Sequence, residues 1–185
     1  MSRQSIIERA KNSEFTFFEN GDFEVTNAVL VYRNFAGRPT DFNKQGGRRT
    51  FGLVVTEEVG EYLQDNGWNV KIREPKQEGD EPFQYTEVVV SYNGLYPPDI
   101  RLITEVNGGR KGKMLTEATV GCLDQVWIEN CDVRIHPRRH DSHGYTFKGY
   151  ANKVVVTQAK RDFFGSRYSD VDWEDNLAAD EYPEE

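Results

Sequence analysis

Basic and aromatic side chains are interleaved in one stretch of the sequence. Between positions 32 and 51 the chain carries Tyr32, Arg33, Phe35, Arg38, Phe42, Lys44, Arg48, Arg49 and Phe51. Cations neutralise phosphate groups, and aromatic faces stack on unpaired bases for roughly 1–3 kcal/mol per base. The pattern is therefore typical of a surface that binds single-stranded nucleic acid.

A second stretch repeats the mixture with Arg138, Arg139, Tyr145, Lys148 and Tyr150. Each stretch carries a local charge of +4, because residues 33–49 and residues 134–153 each contain five basic residues and one acidic residue. The same residues also fit a structural role, because aromatic side chains in strands are usually buried and arginines often solvate loops. Composition alone does not separate the two interpretations.

The acidic residues are concentrated at the C-terminus. The chain has a net charge of −8, and residues 168–185 hold eight acids and no base, whereas the rest balances 23 acids against 23 bases. We expect this segment to be a disordered tail that competes for the basic surface or docks partner proteins. Its partner-binding candidates are Asp170, Asp172, Trp173, Glu174, Asp175, Asp180 and Glu181.

Metal and catalytic sites are weakly supported. His136, His140 and His143 lie in a polar stretch near Cys131, but the spacing does not match a zinc motif, and Arg138 and Arg139 disfavour a cation. The basic sequence NGGRKGKM at 107–114 lacks the phosphate-loop pattern, so we interpret it as a turn. Cys122 and Cys131 are expected to be core thiols. We predict no metal, no cofactor and no enzymatic activity.

The elements that position these residues are mostly strands. Asn20-Gly21 predicts a hairpin turn, and Thr56 and Gly67 are expected to cap a single inserted helix. Seven or eight strands follow the apolar and β-branched runs, with a bulge near Glu129-Asn130 and loops at residues 136–144. We predict a mainly β fold, an antiparallel five-stranded Greek-key barrel of the OB type with extra strands, spanning residues 1–167.

The composition also indicates where the protein acts. No apolar run reaches the ~20 residues of a membrane helix, and the first residues lack the apolar centre of a signal peptide. Two cysteines fit a reducing compartment. We expect a soluble intracellular protein with no membrane partner.

Several short motifs occur in an order that resembles the bacteriophage single-stranded DNA-binding proteins of the OB-fold type. They are residues 31–37, VYRNFAG; 42–43, FN; 65–71, DNGWNVK; 96–100, YPPDI; 119–124, TVGCLD; and 128–133, IENCDV. The resemblance implies an oligonucleotide-binding barrel used in phage replication, recombination or repair in the cytoplasm of the infected cell. It also implies an acidic C-terminus that contacts replication or recombination proteins.

Two functions therefore stand as hypotheses. The first is a sequence-tolerant binder of single-stranded DNA, and the second is a phage structural or protein-interaction module on a similar barrel. Only the binder has a reason to lose affinity as salt is added, because phosphate contacts release counterions.

Overall fold

A computed structural model describes residues 5–76, 78–106, 108–142 and 144–159 of the chain. Two α-helices, one 3₁₀ helix and ten strands are defined within these ranges. In chain order they are α1 Ile6–Lys11, β1 Glu14–Phe17, β2 Phe23–Thr26, β3 Leu30–Asn34, β4 Arg49–Val55, α2 Glu57–Asp65, β5 Val70–Arg73, β6 Phe83–Val90, β7 Asp99–Val106, β8 Gly109–Leu115, the 3₁₀ helix Val120–Asp124, β9 Ile128–Ser142 and β10 Tyr145–Gln158. The prediction of a mainly β fold is confirmed.

The strands form one sheet in the order β1-β2-β9-β10-β6-β4-β3. Strand β5 pairs with β6, and the hairpin β7–β8 is joined to the second half of β10. No hydrogen bonds join β1 to β3 among the described residues, so the sheet is not closed, and the assignment to an OB barrel stays a prediction. The expectation of purely antiparallel pairing was wrong, because β10 runs parallel to both β6 and β7.

Local sequence signals explain the boundaries of several elements. The Thr56 side chain accepts a hydrogen bond from the backbone N–H of Val59 and begins α2, and Gly67, with a φ of +87°, follows its end. The hairpin at Asn20-Gly21 joins β1 to β2. In the pairing of β9 with β10, Asn130 is opposite Thr157 and Ile128 is opposite Gln158, which leaves Glu129 as the predicted bulge.

Two predicted connections are strands instead. Residues 109–115 of the basic glycine-rich segment form β8, which pairs with β7 along its whole length. The predicted histidine-containing loop at residues 136–144 largely continues β9 as far as Ser142, because these residues pair with β10. Backbone hydrogen bonds to a neighbouring strand thus outweigh the local turn tendency of glycine and polar residues.

Alternation along the central strands divides the sheet into a buried and an accessible face. In β6 the side chains of Thr86, Val88 and Val90 are buried, whereas Tyr85 and Glu87 are partly accessible on the opposite face. The buried face joins a core that includes Phe35, Phe51, Leu53, Ile100, Ile135 and Val154. Cys131 lies in this core, but Cys122 is exposed, so the prediction of a core thiol was wrong for Cys122.

The core also contains a polar junction between β3 and the 3₁₀ helix. The two carboxylate oxygens of Asp124 accept hydrogen bonds from the backbone N–H groups of Phe35, at 2.6 Å, and Ala36, at 3.0 Å. From the same region, Arg33 Nη1 donates to the carbonyl oxygens of Leu123 and Val126, both at 2.7 Å. The junction therefore fixes the point at which β3 enters the loop at residues 35–48.

No helix in the described ranges has the length and apolar character needed to cross a membrane.

We predict that Asp124→Ala lowers the free energy of unfolding by roughly 2–4 kcal/mol, because it leaves two partly buried N–H groups without an acceptor. Urea denaturation measures the change. Asp141→Ala is the matched control, since the Asp141–Arg139 pair is exposed and such pairs contribute about 0–1 kcal/mol. A loss for Asp124→Ala no larger than that of the control would contradict the structural role of the junction.

Candidate nucleic-acid interface

A large groove lies on the accessible face of β3, β4 and β6. Its volume is about 820 Å³, and its lining includes residues of the loop at residues 35–48 and of the β9–β10 hairpin. We call this feature the groove. It is lined by Tyr32, Asn34, Arg38, Thr40, Phe42, Asn43, Arg48, Thr50, Phe51, Gly52, Asn69, Lys71, Tyr85, Thr86, Glu87, His140, Tyr145, Phe147 and Lys148.

The loop at residues 35–48 is held by its own hydrogen bonds. The side-chain amide of Asn34 bonds both the N–H and the carbonyl of Arg38, at 2.9 and 3.1 Å, and Gly47 N–H donates to Gly37 O at 2.7 Å. Gly37 and Gly47 have φ values of +68° and +85°, which favour glycine. The loop therefore presents Phe42 and Arg38 as exposed side chains from an ordered base.

Glycine also opens the floor of the groove. A Cβ atom added at Gly52 would lie 2.8 Å from Val31 Cγ2 and 3.1 Å from Tyr85 Cδ2. The absence of a side chain at Gly52 therefore allows Val31 and Tyr85 to pack closely over β4.

Four basic side chains line the groove against a single acid. The Glu87 carboxylate lies 2.6 Å from Arg48 Nη2, 3.7 Å from Lys71 Nζ and 3.9 Å from Lys148 Nζ. Arg38 lines the groove as well. Burial lowers the pKa of Lys148, and the charge of Arg48 lowers it further. The groove thus has an excess of positive charge, which suits an anionic ligand.

Aromatic rings of different exposure accompany these cations. Phe42 is fully exposed, and Tyr32 is 49% exposed at a φ of +50° on β3. The Tyr32 ring lies 5.3 Å from that of Tyr85, and its hydroxyl accepts a hydrogen bond from Arg73, whose guanidinium lies 5.5 Å from the Tyr32 ring centre. Burial raises the pKa of Tyr85. Flat, partly open rings beside cations can bind unpaired bases by stacking.

The structure brings part of the predicted set together in the groove. Tyr32, Arg38, Phe42, Arg48, Tyr145 and Lys148 all line it with accessible or partly accessible side chains. Phe51 contributes to the floor but is 1% exposed, and it stacks on the fully buried Phe35 with ring centres 5.3 Å apart. Phe35 and Phe51 are therefore core residues, and the structure does not make them available for base stacking.

Three cations predicted in the first stretch lie outside the groove. Arg33 belongs to the polar junction already described, and burial lowers its pKa. Arg49 points to the other face of β4, where it contacts Glu117 at 3.4 Å and lies 5.5 Å from the Tyr92 ring centre. Lys44 is exposed on the loop but does not line the groove.

The second predicted stretch is divided in the same way. Tyr145 and Lys148 line the groove, whereas Arg138 lies 4.1 Å from the ring centre of Tyr150, and Arg139 pairs with Asp141 at 3.1 Å. Arg138, Arg139 and Tyr150 are not among the lining residues. Because Lys148 and Tyr150 are two residues apart on β10, they share the accessible face of the sheet.

Sequence reasoning missed Lys71, Tyr85 and Glu87 as groove residues. Period-two alternation in FQYTEVVV could have placed Tyr85 and Glu87 on one face of a strand. Their position in the groove follows only from the pairing of β6 with β4, β5 and β10.

Two of the residues considered for metal binding have positions that do not suit a metal site. His136 Nδ1 lies 2.5 Å from Asp22 Oδ1, Arg134 Nε donates to the other Asp22 oxygen at 3.1 Å, and Cys131 is buried with its pKa raised to about 12 by desolvation. Burial raises the pKa of Asp22, but the hydrogen bonds from His136 and Arg134 outweigh this and lower it overall. In the described ranges, no group of three or more potential metal ligands occurs.

Some predictions fall on parts of the chain that the structure does not describe. His143 and the whole acidic segment 168–185 lie outside the described residues, as does Arg167, the predicted end of the domain.

Solved structures of phage single-stranded DNA-binding proteins are similar to this chain over most of its length, at low sequence identity. Among solved structures, the chain is similar to the single-stranded DNA-binding protein from bacteriophage Enc34 in complex with ssDNA, with 10% identity, a TM-score of 0.48, and coverage of 80% of this chain and 93% of that chain. A second structure of the single-stranded DNA-binding protein from bacteriophage Enc34 gives 11% identity, a TM-score of 0.47, and coverage of 84% of this chain and 92% of that chain. The chain is also similar to gp2.5, a single-stranded DNA-binding protein encoded by bacteriophage T7. The identity is 15%, the TM-score is 0.32, and the match covers 83% of this chain and 97% of that chain.

A search of curated protein sequences gives no significant match. A family model described as "Putative phage ssDNA-binding domain" matches residues 13–182, which is most of the chain and includes every groove residue. The resemblance inferred from the sequence is thereby confirmed, and the chain belongs to this family of phage ssDNA-binding domains.

Proposed function

We propose that the protein binds single-stranded DNA in the groove, without strong sequence preference, during phage DNA replication, recombination or repair in the infected cell. The observation that carries this proposal is the combination of four basic side chains, one acidic side chain and exposed aromatic rings in one open groove. Membership of the family supports the same ligand.

In the proposed complex, basic side chains and aromatic rings bind different parts of the DNA. Arg38, Arg48, Lys71 and Lys148 contact phosphates, and Tyr32, Phe42 and Tyr145 stack on bases. A duplex hides its base faces inside the helix, so the aromatic contribution is lost and single strands are preferred. The proposed role requires binding alone, and the groove serves no chemical reaction.

We also propose that residues 1–167 act as the binding domain and that residues 168–185 act as an acidic tail. Eight acids on a tether compete with DNA for the groove or dock replication and recombination proteins. The charge partition of the sequence supports this division, since the domain without the tail is electrically balanced.

The groove cations provide the test of the proposed function. We expect Arg38→Ala with Arg48→Ala to weaken binding of a single-stranded oligonucleotide and to reduce the slope of log affinity against log salt by about 0.7 for each lost phosphate contact. Fluorescence anisotropy titrations at several salt concentrations measure both quantities.

The matched control removes the same charge elsewhere. Arg110→Ala with Lys111→Ala changes two exposed basic side chains on β8. Strand β8 pairs with β7, and β7 pairs with residues 153–157 of β10, away from Lys148 on the same strand. An equal loss of affinity in both double variants would show non-specific attraction rather than a groove. If the wild-type chain shows no salt-dependent binding, a structural or protein-interaction module becomes the better explanation.

Removing the tail is expected to tighten DNA binding. A chain ending at Arg167 loses all eight tail acids, and its gain in affinity should be largest near 0.01 M salt, where the Debye length is about 30 Å. The gain should shrink near 0.15 M, where screening reduces this length to about 8 Å. Equal affinities of the two chains at low salt would rule out competition by the tail and leave partner docking or solubility as its role.

A further inference from the structure

We infer that Glu87 is a built-in competitor for DNA phosphate, and that binding exchanges its carboxylate for one phosphodiester group. This inference rests on the proposed function and assigns a phosphate position within the groove.

The cations around Glu87 come from three separate elements. Arg48 precedes β4, Lys71 lies on β5 and Lys148 lies on β10, and their nitrogen atoms are 2.6, 3.7 and 3.9 Å from the Glu87 carboxylate. Such convergence of positive charge on one small anion is the arrangement that a bound phosphate requires.

The carboxylate and a phosphodiester are similar ligands for these cations. Each carries a single negative charge on two oxygens, and each accepts hydrogen bonds from guanidinium and ammonium groups. One carboxylate leaves the three cations with a net charge of +2, so the cluster still attracts a phosphate. The incoming phosphate is also repelled by Glu87, which it must displace or accommodate.

The structure favours competition over positioning. Lys71 and Lys148 belong to strands whose backbones are fixed by pairing with β6 and β9, respectively, and neither needs Glu87 to stay beside the groove. The Glu87 side chain is 30% exposed, Arg48 and Lys71 are 47% and 43% exposed, and Lys148 is 19% exposed. The contacts with Arg48 and Lys71 can therefore be exchanged without opening the core. Ion pairs of this exposure contribute little to stability.

The decisive variant is Glu87→Gln, which keeps the shape and removes the charge. We expect it to bind an oligothymidylate about fivefold more tightly at low salt, which corresponds to removing one unit-charge repulsion at about 4 Å in water. The salt slope should become steeper by about 0.7, since the released cations neutralise one more phosphate. Glu87→Asp keeps the charge and should leave the slope unchanged.

Glu117→Gln is the matched control, because Glu117 pairs with Arg49 at 3.4 Å outside the groove. It removes the same charge from the chain and should change affinity much less than Glu87→Gln does. The gain from Glu87→Gln should also shrink when Arg48→Ala is present, because one of the released cations is then missing. Equal unfolding midpoints for all variants show that the comparison concerns the folded protein.

The outcomes separate this inference from the proposed function. If the wild-type chain binds with a clear salt dependence but Glu87→Gln binds equally or more weakly, Glu87 is not a competitor, and only this inference is overturned. If the wild-type chain does not bind single-stranded DNA, the proposed function fails and the inference fails with it.

Discussion

The pairing of β6 with its neighbours is the constraint on which the rest of the structure depends. Strand β6 pairs with β4 from Gln84 to Val90, with β5 along its first half, and with β10 at Val88 and Val89. Because alternate side chains point to opposite faces, this register places Thr86, Val88 and Val90 in the core and Glu87 in the groove. A shift of one residue would bury Glu87 and expose the valines, so the hydrophobic core and the charge arrangement of the groove are fixed by the same pairing.

The polar junction formed by Asp124 and Arg33 likewise affects both the packing of the fold and the groove. Asp124 and Arg33 bond backbone groups where β3 ends and where the 3₁₀ helix ends, which leaves neither charge unpaired. This junction sets the start of the loop that carries Arg38 and Phe42 over the groove. Two partly buried residues outside the groove lining therefore help to fix the loop that lines the groove.

Local signals in the sequence predicted the elements that depend on local chemistry. The turn at Asn20-Gly21, the capping of α2 by Thr56 and the bulge at Glu129 follow from backbone preferences and alternation over a few residues. Strand β8 was predicted as a turn because its pairing with β7 is not encoded in its own glycine-rich sequence. The same limit applies to the site, although interleaved cations and aromatic residues indicated its type of chemistry. Contacts with distant residues bury Phe35 and partly bury Arg33, and Lys71 meets Glu87 only through strand pairing.

The central claim is that unpaired bases stack on the accessible rings of the groove. Photo-crosslinking of a single-stranded oligonucleotide that contains 5-iodouracil, followed by mass spectrometry of the linked peptides, tests it directly. The account predicts crosslinks to Phe42, Tyr32 or Tyr145, and their loss when duplex DNA replaces the single strand. Leu95 and Tyr96 serve as an internal control, since they are 93% and 85% exposed but do not line the groove. Crosslinks concentrated at Tyr96, with none in the groove, would contradict the account.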